Sequence, residues 1–374
     1  MKLLASLLIV LFPFYQFTQL NYLLPFSLPF RLYFYDLFLL AFLLPQFLSW
    51  FRHPLKSPLL KPLVIFLSLA FLSLPISLLF SSFTLFQLLP AFLYLLRFTV
   101  ISTLFLIKFT PHQRRLFSII LLIFPFIGLL QYLLLPDLRF FKAIGFDDHY
   151  YRLTFPFLDP NYTGAALSFI FLSQLKDLKH KSSWPFLIVT LVALLLTFSR
   201  ASYLALFIGL VYLLLTAPRL RRFFLPFLVV FVLALFLIPK PFGEGVNLFR
   251  TFSITSRLDN YRHGFQLALQ NPLTGLGFNT LSLHQNTGLG ILSRSSGGLD
   301  NSFLFVLSTT GFLGLGVYLY FLFSLFRLLA NPYLQAALIA LVVHSFFNNS
   351  LFYTPLLLLL IFSYLSTLRT GRSK

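Results

Sequence analysis

A chain of 374 residues that is 58% apolar and only 10% charged, with a mean hydropathy of +0.88, is neither a soluble globular domain nor a disordered one. Its net charge of +19 is spread over many loops rather than gathered into one patch. It therefore signals membrane orientation and contact with anionic lipids, and not nucleic-acid binding. Cysteine is absent, which removes disulfides and thiol chemistry.

A helix needs roughly 20 apolar residues to cross lipid, and windows near that length fall at about 3–24, 33–50, 62–80, 84–107, 116–135, 162–175, 184–199, 202–217, 223–238, 302–325, 333–350 and 354–368. The pattern predicts an all-α polytopic membrane protein of about twelve transmembrane helices, with the sixth the shortest. Basic residues in short loops stay cytoplasmic. In this register both termini are inside, and the inner loops carry Lys56 and Lys61, Lys108 with Arg114 and Arg115, Lys176 with Lys181, and Arg221 with Arg222. The acids Asp137, Asp147, Asp148, Asp159, Glu244, Asp259 and Asp300 fall outside. Asp36 and Arg97 lie within spans, where a neighbouring helix or snorkelling must satisfy each. His344 and Asn348, one helical turn apart with Asn349 adjacent, read as interhelical hydrogen-bonding groups or as the lining of a cavity. The chain so divides into N-terminal transmembrane helices at 1–135, an outer loop at 136–161, and a second membrane domain at 162–374 that includes an outer loop at 239–300.

The two long outer loops are where chemistry is expected. The first ends in Arg152-Leu-Thr-Phe-Pro-Phe-Leu-Asp159-Pro160-Asn161 as it meets the sixth span. Between the seventh and eighth spans, Ser199-Arg200-Ala201-Ser202 makes two apolar runs turn around one cation. A cation held there is costly in lipid and calls for an anionic partner. In the second loop, Ser256 with Asp259 three residues on has a capping-box pattern. Leu258, Tyr261, Phe265 and Leu269 then form the apolar stripe of a short amphipathic helix suited to a membrane surface or to the bundle mouth, ended by Asn271-Pro272. Gly275-Leu276-Gly277-Phe278 and the run from Ser293 to Gly298 read as flexible, lid-like segments, and His284 as a loop histidine.

Arg152, Arg200, Arg257 and Arg262 supply planar forks suited to phosphate oxygens, interspersed with Asp159, Asp259 and Asp300. No metal-ligand spacing, Walker lysine loop or dinucleotide glycine fingerprint is present, so neither a metal nor a cofactor is expected. An enzyme built this way neutralises a phosphate leaving group with arginines.

Four runs resemble the O-antigen ligase and O-antigen polymerase family. They are Phe157-Leu-Asp-Pro-Asn161, then Leu196-Thr-Phe-Ser-Arg-Ala-Ser-Tyr-Leu-Ala205, then the arginine-headed segment from Arg257 through Asn271-Pro272 to Gly275-Leu-Gly277, and finally Asp300-Asn301 running to Gly311 and Gly314. The resemblance implies a GT-C-like helical bundle and a metal-independent, inverting glycosyltransferase on the outer face of the cytoplasmic membrane. The donor implied is a glycan on undecaprenyl pyrophosphate, and the acceptor a glycan or lipid. Arg200 and Arg257 would hold the pyrophosphate, with Arg152, Asp159, Asn161, Arg262, His284 and Asn301 as further substrate contacts. Asp300 stands where ligases of the family carry a histidine, which favours the polymerase branch or a ligase-like enzyme with a carboxylate base. The competing reading is a secondary transporter or flippase of an envelope polysaccharide pathway. Against it, the halves show no repeat and most charges avoid the membrane midplane.

Because the chain lacks cysteine, single-cysteine variants at Lys181 and at Thr255 report topology without background. An impermeant thiol reagent on intact cells should label the second and spare the first. Labelling of both from one side would overturn the twelve-span register.

Overall fold

The computed structural model describes residues 2–23, 30–52, 57–80, 83–178, 180–238, 241, 243–284 and 298–368, and among them the structure is helical with no strand. The helices are α1 (Lys2–Leu11), α2 (Phe34–Arg52), α3 (Leu60–Phe80), α4 (Leu85–Ser102), α5 (Pro111–Leu134), α6 (Pro160–Gln174) and α7 (Trp184–Leu195). They continue with α8 (Arg200–Thr216), α9 (Arg221–Leu237), α10 (Phe252–Gln270), α11 (Leu281–His284), α12 (Ser302–Leu328), α13 (Pro332–His344) and α14 (Thr354–Thr367).

Every apolar window read from the sequence holds a helix. Four stretches, Leu60–Leu79, Leu85–Leu106, Pro111–Leu134 and Ser302–Leu328, are long and apolar enough to cross a membrane, and the other apolar helices are shorter. At 1.5 Å per residue the 12 residues of α7 cover about 18 Å of a core roughly 30 Å thick. Length thus supports a membrane protein with four clear spans, and does not by itself carry the full count of twelve.

The chain packs as two compact units assembled from separated segments. One is formed by Met1–Phe117, Arg257–Leu328 and Phe352–Lys374, the other by Ser118–Ser256 and Leu329–Leu351.

In the first unit α3 packs along α12, with Phe66 and Tyr318 rings 4.9 Å apart. Phe98, Phe278, Phe305 and Phe352 extend this into one aromatic cluster with centroid separations of 5.0–6.1 Å. Part of the chain's phenylalanine richness is therefore packed core, with ring pairs that add to area burial. Asp36 and Arg97, both mostly buried, form an ion pair at 2.9 Å. Tyr15 donates to Asp36 Oδ1 at 3.0 Å, Arg97 also donates to the Arg31 carbonyl, and its guanidinium lies 5.2 Å from the ring centroids of Tyr33 and Tyr94.

The most constrained backbone of this unit lies within α12, which breaks at Gly311 (φ 65°, ψ −170°). The break releases carbonyls and N–H groups inside the core. The segment after α10 takes them up: Leu276 N donates to Ser308 O and Gly277 N to Thr309 O, while Phe312 N and Leu313 N donate to Pro272 O and Leu273 O. Gly275 to Phe278 are buried, and Phe278 N is fixed on Ser73 Oγ at 2.9 Å. The first of the segments read as a flexible lid is thus a docked strand-like insertion, because glycines at φ +73° and +106° let backbone lie directly on backbone. Most of the second, 293–298, lies outside the described residues.

In the second unit α13 packs against α8 and α6, and α6 against α7 and α8. Small residues permit this: a Cβ on Gly164 would meet Ser202 Oγ at 2.5 Å, and Ser168 Oγ donates to the carbonyls of Gly164 and Ser202. His344 ends α13 and its Nδ1 lies 2.6 Å from Ser350 Oγ.

Two glycines of α12 should separate strain from space. An added Cβ at Gly311 would sit 2.2 Å from the Leu273 carbonyl oxygen in a backbone region closed to L side chains, whereas nothing lies within 4 Å of one at Gly316. Gly311→Ala should lose at least ~2 kcal/mol, and Gly316→Ala should gain about 0.5–1 kcal/mol from helix propensity. Thermal unfolding of the purified variants in detergent checks this; a Gly311→Ala protein as stable as wild type would contradict the spliced geometry.

Candidate active site

In the second unit, α7 stops at Leu195 because the next four residues turn through Phe198 at φ 49° to Ser199, which caps α8. Thr197, Phe198 and Ser199 are completely buried. The carbonyls orphaned at the end of α7 are each met. Leu195 O accepts from Tyr203 Oη, Leu196 O from Leu153 N, Thr197 O from Arg152 Nε at 2.9 Å, and Phe198 O from Arg152 and Arg250, each at 3.4 Å. Arg152 is 7% exposed and holds the negative end of α7, where a cation is favoured.

Arg200 is the first residue of α8, half-buried, with Nη1 donating to Leu248 O at 3.1 Å and Arg250 O at 3.0 Å. The turn is therefore enclosed by protein, and its arginine has carbonyl partners where the sequence suggested a lone cation at a hairpin tip. Arg250, which sequence reasoning did not single out, ties this group together through Gly245 O and Asn247 O.

The upstream run meets the same turn. Asp159 caps α6, its Oδ1 accepting from Asn161 N at 2.7 Å and Tyr162 N at 3.0 Å, with Pro160 at the first helical position. Ser199 Oγ donates to Asn161 Oδ1 at 3.0 Å, and Ser202 Oγ to Asn161 O at 3.2 Å. Two of the runs noted in the sequence, Asp159-Pro160-Asn161 and Ser199-Arg200-Ala201-Ser202, are thus joined by direct hydrogen bonds.

The loop before α6 also brings together Asp147, His149 and Asp159, whose donor atoms lie within 4.8 Å of one another. No local spacing announced this. An antiparallel pairing of Asp137 with Tyr150, and Gln131 Oε1 accepting from Thr154 N and Phe155 N, fold the loop so that residues ten apart meet. Burial, reinforced by the Arg152 cation, lowers the His149 pKa to about 4.

Helix α10 begins at Phe252, with Thr251 O accepting from Ile254 N and Thr255 N, and its residues from Arg257 on belong to the first unit. Ser256 lies a turn inside the helix and does not cap it, because Thr251 offers an equivalent start one turn earlier. Asp259 pairs instead with Arg262 at 3.6 Å on the exposed face, a contact worth little. Leu258, Phe265 and Leu269 are each more than half exposed, so the anticipated stripe is an outer face, while Gly264, Leu267 and Ala268 are buried. Ser308 Oγ donates to Gly264 O at 2.8 Å.

Asn301 caps α12, its Oδ1 accepting from Phe303 N at 2.9 Å and Leu304 N at 3.0 Å. Asp300 is exposed, and its backbone N donates to Asn260 Oδ1 at 2.9 Å. The Tyr261 hydroxyl reports the surroundings. Burial raises its pKa, a hydrogen bond with the Asn301 side chain and the Arg257 charge lower it, and the Asp300 charge raises it. Arg257, Tyr261, Asp300 and Asn301 therefore share one neighbourhood. His284 is half-buried and not solvated; its ring packs edge-on to Phe83 at 4.9 Å and bonds the Leu276 backbone, and burial lowers its pKa.

Residues 185–319 match the family model described as O-Antigen ligase. That segment is similar to the O-antigen ligase family, and it contains Arg200, Arg250, Arg257, Asp300 and the backbone splice at Gly311. A comparison of the chain with curated proteins finds no match.

The division of labour at the head of α12 is directly testable. Asn301→Ala should cost about 1 kcal/mol and Asn301→Asp much less, since either side chain that accepts from the first-turn N–H groups serves as cap. Asp300→Asn should leave the unfolding midpoint unchanged, and a comparable loss there would assign Asp300 a structural role.

Proposed function

We propose that the protein transfers or polymerises a glycan carried on undecaprenyl pyrophosphate, at the outer face of the cytoplasmic membrane, with inversion at the anomeric carbon. The acceptor is a glycan or lipid hydroxyl. Its oxygen attacks the anomeric carbon, the bond from that carbon to the pyrophosphate oxygen breaks, and the hydroxyl proton passes to a base. The lipid pyrophosphate leaves with its charge met by arginine forks, without a metal at the reacting bond.

The observation that carries this reading is the match of residues 185–319 to the O-antigen ligase family model, a segment in which Arg200 starts α8 and Asp300 shares the neighbourhood of Arg257. The position of Arg200 adds a physical reason. A cation in the first turn of α8 opposes the helix dipole by about 0.3–1 kcal/mol, so local helix preference does not account for it. The same helix end and the same cation both favour an anion placed there. Asp300 suits the base, because the cap belongs to Asn301 and the carboxylate need not serve the helix. The aspartate in place of the histidine of related ligases favours the polymerase branch. In this scheme Arg152 and Asn161 shape the turn around Arg200, Arg262 and His284 are peripheral substrate contacts, and the exposed face of α10 lies on lipid.

Deletion should accumulate lipid-linked glycan units, and plasmid-borne variants should rank by chemistry. Arg200→Lys and Arg257→Lys should each lose at least about tenfold in transfer rate, nearly as much as alanine, because a point charge does not copy a bidentate fork. Asp300→Asn should lose about 10²–10⁴-fold while folding normally. Near wild-type transfer by a folded Asp300→Asn enzyme removes Asp300 as base, and full activity of Arg200→Lys removes the pyrophosphate clamp.

A further inference from the structure

The cluster before α6 has the composition of a metal site and the burial of a built one. Donor atoms of Asp147, His149 and Asp159 lie within 4.8 Å of one another. The His149 residue is 9% exposed, and its Nε2 is buried with no hydrogen-bond partner.

The remaining ligands are arranged to match. Asp159 has its Oδ1 fixed by the N–H groups of Asn161 and Tyr162, the kind of outer hydrogen bonding that orients a ligating carboxylate. Asp147 is exposed and offers a way in from solvent. Its neighbour Asp148 is turned aside to Lys142 at 3.2 Å, which leaves three donors at the cluster and not four.

We propose that Asp147, His149 and Asp159 bind one divalent cation and so fasten the outer loop 136–161 to the start of α6. One imidazole with two carboxylates suits a borderline ion such as Zn²⁺ or Mn²⁺, since Mg²⁺ and Ca²⁺ prefer all-oxygen shells. The two carboxylates balance the ion's charge, and a further coordination position remains for water or an anionic oxygen. The site lies outside residues 185–319 and is independent of the glycosyl-transfer reading; its role is to hold the loop.

Full-length protein purified in detergent, stripped with a chelator and dialysed against micromolar ZnCl₂ gives the test, with bound zinc counted by mass spectrometry. Wild type should retain one equivalent in the presence of excess Mg²⁺, show one imidazole among nitrogen and oxygen donors by X-ray absorption, and unfold a few degrees higher with zinc than without. His149→Ala, Asp147→Asn and Asp159→Asn should each bind at least tenfold more weakly, and Asp148→Asn should match wild type. Asparagine keeps the cap of α6, so Asp159→Asn separates loss of a ligand from loss of the helix start. No retained zinc in wild type, or retention equal to wild type in Asp147→Asn and Asp159→Asn, overturns the site and assigns any bound zinc to other histidines.

Discussion

A backbone carbonyl or N–H released inside so apolar a chain must find a partner within the protein, and both units are organised by that requirement. In one, helix α7 ends inside the protein and the four carbonyls freed at and just after its end are answered by a tyrosine, a neighbouring amide and two arginines. In the other, α12 breaks and the amides and carbonyls on either side are answered by a second piece of backbone. The same arithmetic explains why the chain there carries Gly275 and Gly311: two backbones approach so closely that a Cβ on either glycine would sit 2.2–2.3 Å from backbone atoms of the other segment.

Arginine serves two ends under this constraint. Its fork can satisfy several carbonyls at once, as Arg152 does at Thr197 and Phe198, and its charge persists at every relevant pH. The guanidinium groups that hold the turn before α8 therefore also make that region positive. Structure and candidate chemistry draw on the same residues, so a substitution there changes both, and stability must be measured beside turnover in any variant of the group.

What the sequence disclosed is what depends on local pattern. Apolar run length located every membrane-type helix, and Asp159-Pro160 marked the start of α6 because an Asx side chain followed by proline is a helix start in itself. Residues that act through distant partners were harder to read. Ser256-x-x-Asp259 is a good local cap signal, yet Thr251 provides an equivalent start a turn earlier and the helix takes it. Asp300 and Asn301 are adjacent and both competent caps, so only coordinates decide that Asn301 accepts the first-turn amides. The glycines after α10 read as loose because composition cannot reveal that their amides bond Ser308 and Thr309. The meeting of Asp147, His149 and Asp159 rests on how the loop folds back on Gln131, which no ligand spacing encodes.

The buried pairing of Asp36 with Arg97 has a bearing on how this sequence can drift. Either partner alone would be an uncompensated charge among Tyr15, Tyr33 and Tyr94, costing about 3–5 kcal/mol, whereas two well-packed apolar residues in their place are often neutral or better. A lineage can therefore leave this arrangement only by changing both positions nearly together. The pair is held by the depth of the valley around it, so its persistence among descendants would record inaccessibility of the alternative as much as any service the charges perform.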